Sequence, residues 1–258
     1  MSDKEMVNLE NVSLKYHSLE GETHALKDIS FTVNEGEFIG IVGPSGCGKT
    51  TILSLIAGLI KPTTGQVLVD GKTVEGPSTN VGYMLQQDYL FEWRTIMQNA
   101  LLGLEIHNNM AEEFKTKTEK LLETYGLGDF KNHYPDQLSG GMRQRAALIR
   151  TLAIDPKILL LDEPFSALDY QTRLAMSDEV STIIRKEGKT ALLVTHDISE
   201  AISMSDKVLV LSQRPATIKN IHVIRLTSEE DRPISRRQAP EFREYFNTVW
   251  RELDVHVE

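Results

Sequence analysis

The segment Phe38-Ile39-Gly40-Ile41-Val42-Gly43-Pro44-Ser45-Gly46-Cys47-Gly48-Lys49-Thr50-Thr51 joins two patterns that are informative only together. Its first five residues are apolar without alternation, which predicts a strand buried on both faces. Gly43 to Thr50 then matches the phosphate-loop spacing G-x-x-x-x-G-K-[ST], and a helical-looking run, Thr51–Leu59, follows. Glycines let successive backbone N–H groups curl around phosphate oxygens, and the start of a helix adds partial positive charge. In such a loop Lys49 reaches the outer phosphates and Thr50 offers its hydroxyl to Mg²⁺.

Working outward, Val7–Leu9, Val12–Tyr16, Ile29–Val33 and Val67–Val69 are short alternating or β-branched runs bounded by turn signals such as Asn34-Glu35-Gly36 and Asp70-Gly71. From Met110 the spacing becomes helical, through Met110, Phe114, Leu121, Leu122 and Tyr125, with Asn109 as the expected cap and Gly126 as the stop. A helical subdomain is expected over about residues 88–153. Beyond Asp155-Pro156, the apolar strands Ile158–Asp162, Ala191–Thr195 and Val208–Leu211 alternate with a helix over Tyr170–Lys186, which predicts a parallel α/β arrangement. Residues 227–258 form a short charged extension with one helix near Glu241–Leu253, either solvated or serving as a small contact surface.

The 258 residues carry 28 basic and 37 acidic side chains, a net charge of −9, with 40% hydrophobic and 25% charged residues. That is an ordinary globular composition and argues against disorder. The acidic balance argues against nucleic acid or an anionic lipid surface as the default partner. One cysteine, Cys47, excludes an internal disulfide framework and a cysteine-rich metal site, and suits a reducing compartment. The N-terminus lacks the apolar core of a signal peptide, and the longest apolar stretch, Ile52–Ile60, falls short of the roughly 18 residues a spanning helix needs. A cytoplasmic chain that meets a membrane only through a partner is expected.

A phosphate site needs a carboxylate for its metal. Ile158-Leu159-Leu160-Leu161-Asp162-Glu163 is an apolar strand ending in two acids, which belong where the strand leaves the core. Asp162 is placed for Mg²⁺, and Glu163 for polarising a water that attacks the γ-phosphate. The phosphate loop by itself leaves kinases and GTPases open.

Leu138-Ser139-Gly140-Gly141-Met142-Arg143-Gln144-Arg145 supplies a second glycine pair ahead of a helix. With Asp162-Glu163 behind it, this resembles the signature of ATP-binding cassette (ABC) proteins, and the resemblance runs from about Val7 to Leu226. It implies an α/β P-loop NTPase core with an N-terminal antiparallel β subdomain and an inserted helical subdomain, together spanning residues 1–226. It implies ATP and Mg²⁺ as cofactors. Tyr16 corresponds to an aromatic against adenine, and Gly43, Pro44, Ser45, Gly46, Cys47, Gly48, Lys49, Thr50 and Thr51 to the phosphate-binding set. Ser139, Gly140 and Gly141 would close on ATP held by a second copy. Gln86, or its neighbour Gln87, resembles the glutamine that senses Mg²⁺ and the attacking water; its spacing to Trp93 favours Gln86. Ser166-Ala167-Leu168-Asp169 resembles the loop joining the two subunits, and His196 the histidine that contacts the γ-phosphate. If the signature acts across a dimer, the partner's Ser139 should approach Cys47, without nucleotide, closely enough for Ser139→Cys to form a disulfide with it.

No coiled-coil insertion and no second cassette interrupts the pattern, so a transporter subunit is expected, working with permease subunits and, through them, an extracytoplasmic solute-binding protein. Leu90–Thr95, Leu138–Arg145 and Val210-Leu211-Ser212-Gln213-Arg214-Pro215 resemble the importer subfamily for nitrate, sulfonates and taurine; members that import pyrimidine vitamin precursors look similar. Glu92 departs from the proline usual before that tryptophan. The alternative reading, a soluble ABC ATPase acting on nucleic acid or ribosomes, calls for a basic surface. A purely regulatory nucleotide module calls for a missing catalytic residue, yet Lys49, Asp162, Glu163 and His196 are all present.

Overall fold

Alternating apolar residues make β1 (Glu5–Ser18) and β2 (Gly21–Asn34) one long antiparallel pair, with Val7 opposite Val33, Leu9 opposite Phe31 and Val12 opposite Ile29. The sequence suggests two strands where β1 is one. A bulge between Leu9 and Val12 shifts the phase of alternation, so Val7, Leu9, Val12 and Leu14 all point inward. Asn11 takes the left-handed conformation there (φ 48°) and its N–H donates to Ser30 Oγ at 2.8 Å.

The computed structural model describes residues 4–18, 21–166 and 168–253. They gather into two units, Met1–Ser78 with Ser177–Glu258, and Thr79–Met176. In the first unit, β1 and β2 are joined by β4 (Thr64–Val69) and β5 (Lys72–Thr73) in an antiparallel sheet ordered β2-β1-β4-β5. Between them come β3 (Phe38–Val42) and α1 (Lys49–Ile56). All five residues of β3 are buried because parallel strands flank it on both sides: β8 (Thr190–Val194) and β9 (Lys207–Leu211). The strand β10 (Ile218–Val223) adds antiparallel to β9 and was not legible in the alternation of its sequence.

Towards the C-terminus this unit also contains α7 (Ile198–Met204), α8 (Pro233–Arg236) and α9 (Phe242–Glu252). Val42, Ile198, Ala201, Ile202, Val208, Val210, Ile224 and Val249 form a buried cluster, with Phe242, Tyr245, Phe246 and Leu253 packed against it. The charged tail helix is therefore no solvated rod. One side of α9 is part of the core, and its carboxyl end accepts bonds from Asn220 and His222 of β10 through Glu252.

The second unit holds the parallel pair β6 (Val81–Met84) and β7 (Ile158–Asp162), with Met84 opposite Leu161. Around them lie α2 (Ile96–Ala100), α3 (Leu102–Ile106), α4 (Glu112–Thr124) and α5 (Gly140–Ala153). Residues 88–95 are irregular, so helix begins at Ile96. The helix α4 starts at Glu112 with Ala111 at its cap; the expected cap, Asn109, instead donates its N–H to Leu104 O within α3. Glu112 and Glu113 in the first turn favour that later start by opposing the helix dipole. Gly126 follows the C-cap in the left-handed region (φ 68°), as its residue type predicts. The chain returns to the first unit within α6 (Tyr170–Lys186). Among the described residues no helix is long and apolar enough to cross a membrane.

Candidate nucleotide-binding site

In the first unit the parallel register Ile41 opposite Val194 brings Gly43 and His196, each two residues further on, to the same end of the sheet. The loop between β3 and α1 is built on Gly48, whose φ of 124° is closed to side chains; a Cβ there would also stand 2.8 Å from Leu26 Cδ2. Lys49 is nearly buried, and its Nζ donates to Gly43 O (2.8 Å) and Pro44 O (3.0 Å). The cationic amine is thus held against the carbonyls at the start of the loop. Thr50 and Thr51 lie in the first turn of α1, which has no acidic residue. Ser45 and Gly46 are exposed.

Cys47 departs from the cross-linking expectation. Its side chain is buried, with Sγ packed against Gly43 closely enough that a Cβ there would lie 2.9 Å away, and burial pushes its thiol above the ordinary range despite the nearby Lys49. It is a packing group under the loop, not an exposed thiol open to cross-linking with a partner's Ser139→Cys. Tyr16 is 45% exposed, which excludes a core role, and its hydroxyl is 3.4 Å from Thr51 Oγ1. His196 is exposed on the turn between β8 and α7. That turn is fixed by Thr195 Oγ1, which donates to Glu200 at 2.7 Å, and by Asp197, which caps α7 by accepting from the Ser199 and Glu200 N–H groups.

In the second unit the register of β6 and β7 sets Gln86 and Glu163 level with one another. Gln86 Nε2 donates to Glu163 Oε2 at 3.0 Å, so the amide of Gln86, not that of Gln87, reaches the acid. Asp162 is buried and its Oδ2 accepts from the Tyr83 hydroxyl (3.2 Å). Glu163 sits in the left-handed region (φ 46°), a conformation that non-glycine residues hold at a cost and that is concentrated at functional sites. Ser166 supports it, donating both N–H and Oγ to Glu163 O. Ser139 Oγ caps α5 by accepting from the Met142 N–H, and a Cβ at Gly140 would meet nothing within 4 Å, so the helix start is open. Asp169 accepts from Gln171, Thr172 and the Thr172 hydroxyl, which together hold its carboxyl below the usual range. Ala167 of the expected subunit-joining loop lies outside the described residues.

Several organising residues carry no motif. Arg150 donates to the Asp88 and Tyr89 carbonyls, Arg143 to the Asp88 carboxylate and Leu138 O, and the buried Gln144 amide to Pro164 O. The buried Asn99 holds the 91–95 turn. In the apolar run from Tyr89 to Trp93, Tyr89 (57% exposed) and Trp93 (74%) are exposed and Phe91 stacks on Trp93 at 4.8 Å, whereas Leu90 belongs to the core.

Among the described residues no three or more His, Cys, Asp or Glu side chains cluster as a metal cage. Within the second unit the Asp162 carboxylate and the Gln86 amide oxygen are hard donors of the kind Mg²⁺ takes. Residues 26–166 match the family model described as "ABC transporter". The chain belongs to the ABC transporter family. It is an ATP-hydrolysing ABC subunit with ATP and Mg²⁺ as its cofactors.

This ABC ATPase is 50% identical to the Bacillus subtilis "Uncharacterized ABC transporter ATP-binding protein YtlC", over 96% of this chain and 95% of that one. It is 41% identical to the nitrate import ATP-binding protein NrtD of Synechocystis (89% and 88% covered) and 40% to the taurine import ATP-binding protein TauB of Ruegeria pomeroyi (82% and 80%). Among solved structures, the ATP-binding cassette MJ0796, a dimer in a post-hydrolysis state bound to ADP and Pi, superposes with a TM-score of 0.74 at 34% identity, covering 85% of this chain and 99% of that one.

Proposed function

We propose that this ABC ATPase powers import of a small solute of the nitrate, sulfonate or taurine kind, with pyrimidine-precursor-like solutes as the nearest variant. Two copies sandwich two ATP molecules, dock on integral permease subunits at the inner face of the membrane, and respond through them to an extracytoplasmic binding protein. The observation that carries this is the likeness to nitrate and taurine import ATPases over 89% and 82% of this chain, and a cassette of the same fold was solved as a dimer.

Within each site Lys49 leaves the Gly43 and Pro44 carbonyls to neutralise phosphate oxygens, and the N–H groups around Ser45, Gly46 and Gly48 complete the cradle. Tyr16 stacks on adenine. Thr50, Asp162 and Gln86 hold Mg²⁺, whose charge eases negative charge on the transferring phosphoryl group. Glu163 accepts the proton of the attacking water, Gln86 orients it, and His196 contacts the γ-phosphate. Ser139, Gly140 and Gly141, at the open start of α5, meet the γ-phosphate of ATP held by the second copy.

The Tyr89–Trp93 turn is the surface offered to the permease, since exposed aromatic groups of this size mark partner sites. Copurification tests the reading. The tagged chain should bring down integral membrane subunits, and Phe91→Asp should lose them while still binding ATP. Recovery with ribosomes or nucleic acid instead would favour a soluble ABC ATPase.

A further inference from the structure

The phosphate loop has a second cationic attachment besides Lys49. Arg214, on the connection from β9 to β10, donates Nε (3.1 Å) and Nη2 (2.5 Å) to Gly46 O. Its own connection is pinned. Ala216 N–H donates to Ala25 O and Lys27 N–H to Ala216 O, both at 2.9 Å, while Thr217 N–H donates to Ser212 Oγ and Ser212 N–H to Thr217 O. The guanidinium is thus presented from a braced turn to the outer arc of the loop, where Pro44, Ser45, Gly46, Gln213 and Arg214 line an open cleft.

A peptide unit is planar and trans, so its C=O and N–H point in opposite directions. Holding Gly46 O outward on Arg214 directs the Cys47 N–H inward, where it now donates to Pro44 O at 3.3 Å, the same carbonyl that receives Lys49. Gly46 itself sits at φ 70°, where a glycine peptide can flip easily unless something holds it. A hydrogen bond at the carbonyl end also polarises the peptide and makes its N–H a stronger donor.

We propose that Arg214 is a positioning residue for nucleotide binding: its forked hold on Gly46 O fixes the 46–47 peptide so that the Cys47 N–H faces the phosphates. This rests on the phosphate-loop reading. It distinguishes two tasks for the cations, Lys49 meeting the anion and Arg214 orienting the backbone that meets it.

The test compares wild type, Arg214→Gln, Arg214→Lys and Lys49→Ala for Mg-ATP and Mg-ADP affinity by isothermal titration, steady-state hydrolysis and melting temperature without nucleotide. For Arg214→Gln we expect affinity for both nucleotides to weaken about tenfold, the scale of one charge-assisted bond. KM should rise by the same factor, with kcat at saturating ATP falling less than threefold and the melting temperature unchanged. Arg214→Lys, which keeps the charge and loses the fork, should fall between the two. Affinity within twofold of wild type in Arg214→Gln, alongside a clear loss in Lys49→Ala, overturns the proposal and leaves the nucleotide site standing. Wild-type affinity in Lys49→Ala overturns the site itself. A melting temperature well below wild type in Arg214→Gln also overturns the proposal, because Arg214 would then be a strut of the fold.

Discussion

Replacing Asn99 by alanine should cost the second unit about 3 kcal/mol and loosen the turn that carries Phe91 and Trp93. The side chain is wholly buried. Its Oδ1 accepts from the Phe91 N–H at 2.7 Å, and its Nδ2 lies 3.1 Å from the carbonyls of Phe91, Arg94 and Thr95. An amide has only two N–H bonds, so one is shared and the side chain makes three full hydrogen bonds. At about 1 kcal/mol net apiece, these sum to about 3 kcal/mol, plus a smaller contribution from the void. Asn99→Asp separates packing from bonding. It preserves shape but turns a carboxylate toward three carbonyls, which raises its folded-state pKa above the unfolded value. The destabilisation of Asn99→Asp should therefore be greatest near neutrality and shrink as pH falls and the group protonates. Urea unfolding followed by fluorescence in a Trp250→Phe background lets Trp93 alone report. A cost below about 1 kcal/mol in Asn99→Ala, with Trp93 emission unmoved, would refute the reasoning.

Glu163→Gln should keep ATP binding while hydrolysis falls by about 10²–10⁴, the scale of a lost positioned acid-base group; near-normal turnover removes Glu163 from that role. Cys47 should react far more slowly with iodoacetamide than a free thiol at pH 8 and rapidly once the chain is unfolded. Because its folded pKa is raised, its contribution to stability is full below the unfolded thiol pKa of about 8.5 and is lost as pH rises through the folded value, which urea midpoints between pH 7 and 10 would register. Val249→Ala should destabilise the first unit by about 2 kcal/mol, as expected for two buried methyl groups, whereas a cost near zero would detach α9 from the core.

The strands nearest the chemistry were legible because burial on both faces leaves unbroken apolar runs: Phe38–Val42 and Ile158–Asp162 begin and end where their sequences predict. Helix α6 was equally clear, over Tyr170–Lys186. What escaped was non-local. Ile218–Val223 alternates weakly because only antiparallel pairing with β9 makes it a strand, and nothing within residues 227–258 announces that Val249 completes a cluster with Val42. Asn109 had the residue type of a cap but lost the position to a start favoured by Glu112 and Glu113. At the site, spacing supplied Lys49, Asp162 and Glu163, while geometry was needed to bring Gln86 to Glu163 and to show Cys47 buried. Asn99, Arg150 and Arg214 act on backbone carbonyls of distant or irregular segments, a bond type that leaves no sequence pattern.

The first unit is assembled from two lengths of chain, and that sets an order on the ribosome. Residues 79–176 emerge as one continuous length and can collapse on their own as soon as they are out. The phosphate loop emerges before them, yet the cluster behind β3 lacks Val249, Phe242 and Phe246 until α9 has been made. A nascent chain halted before Phe242 would display the complete phosphate-loop sequence on an unclosed core. The core behind β3 is thus completed only at the end of translation, when the last described helix joins a cluster begun by a strand synthesised some two hundred residues earlier.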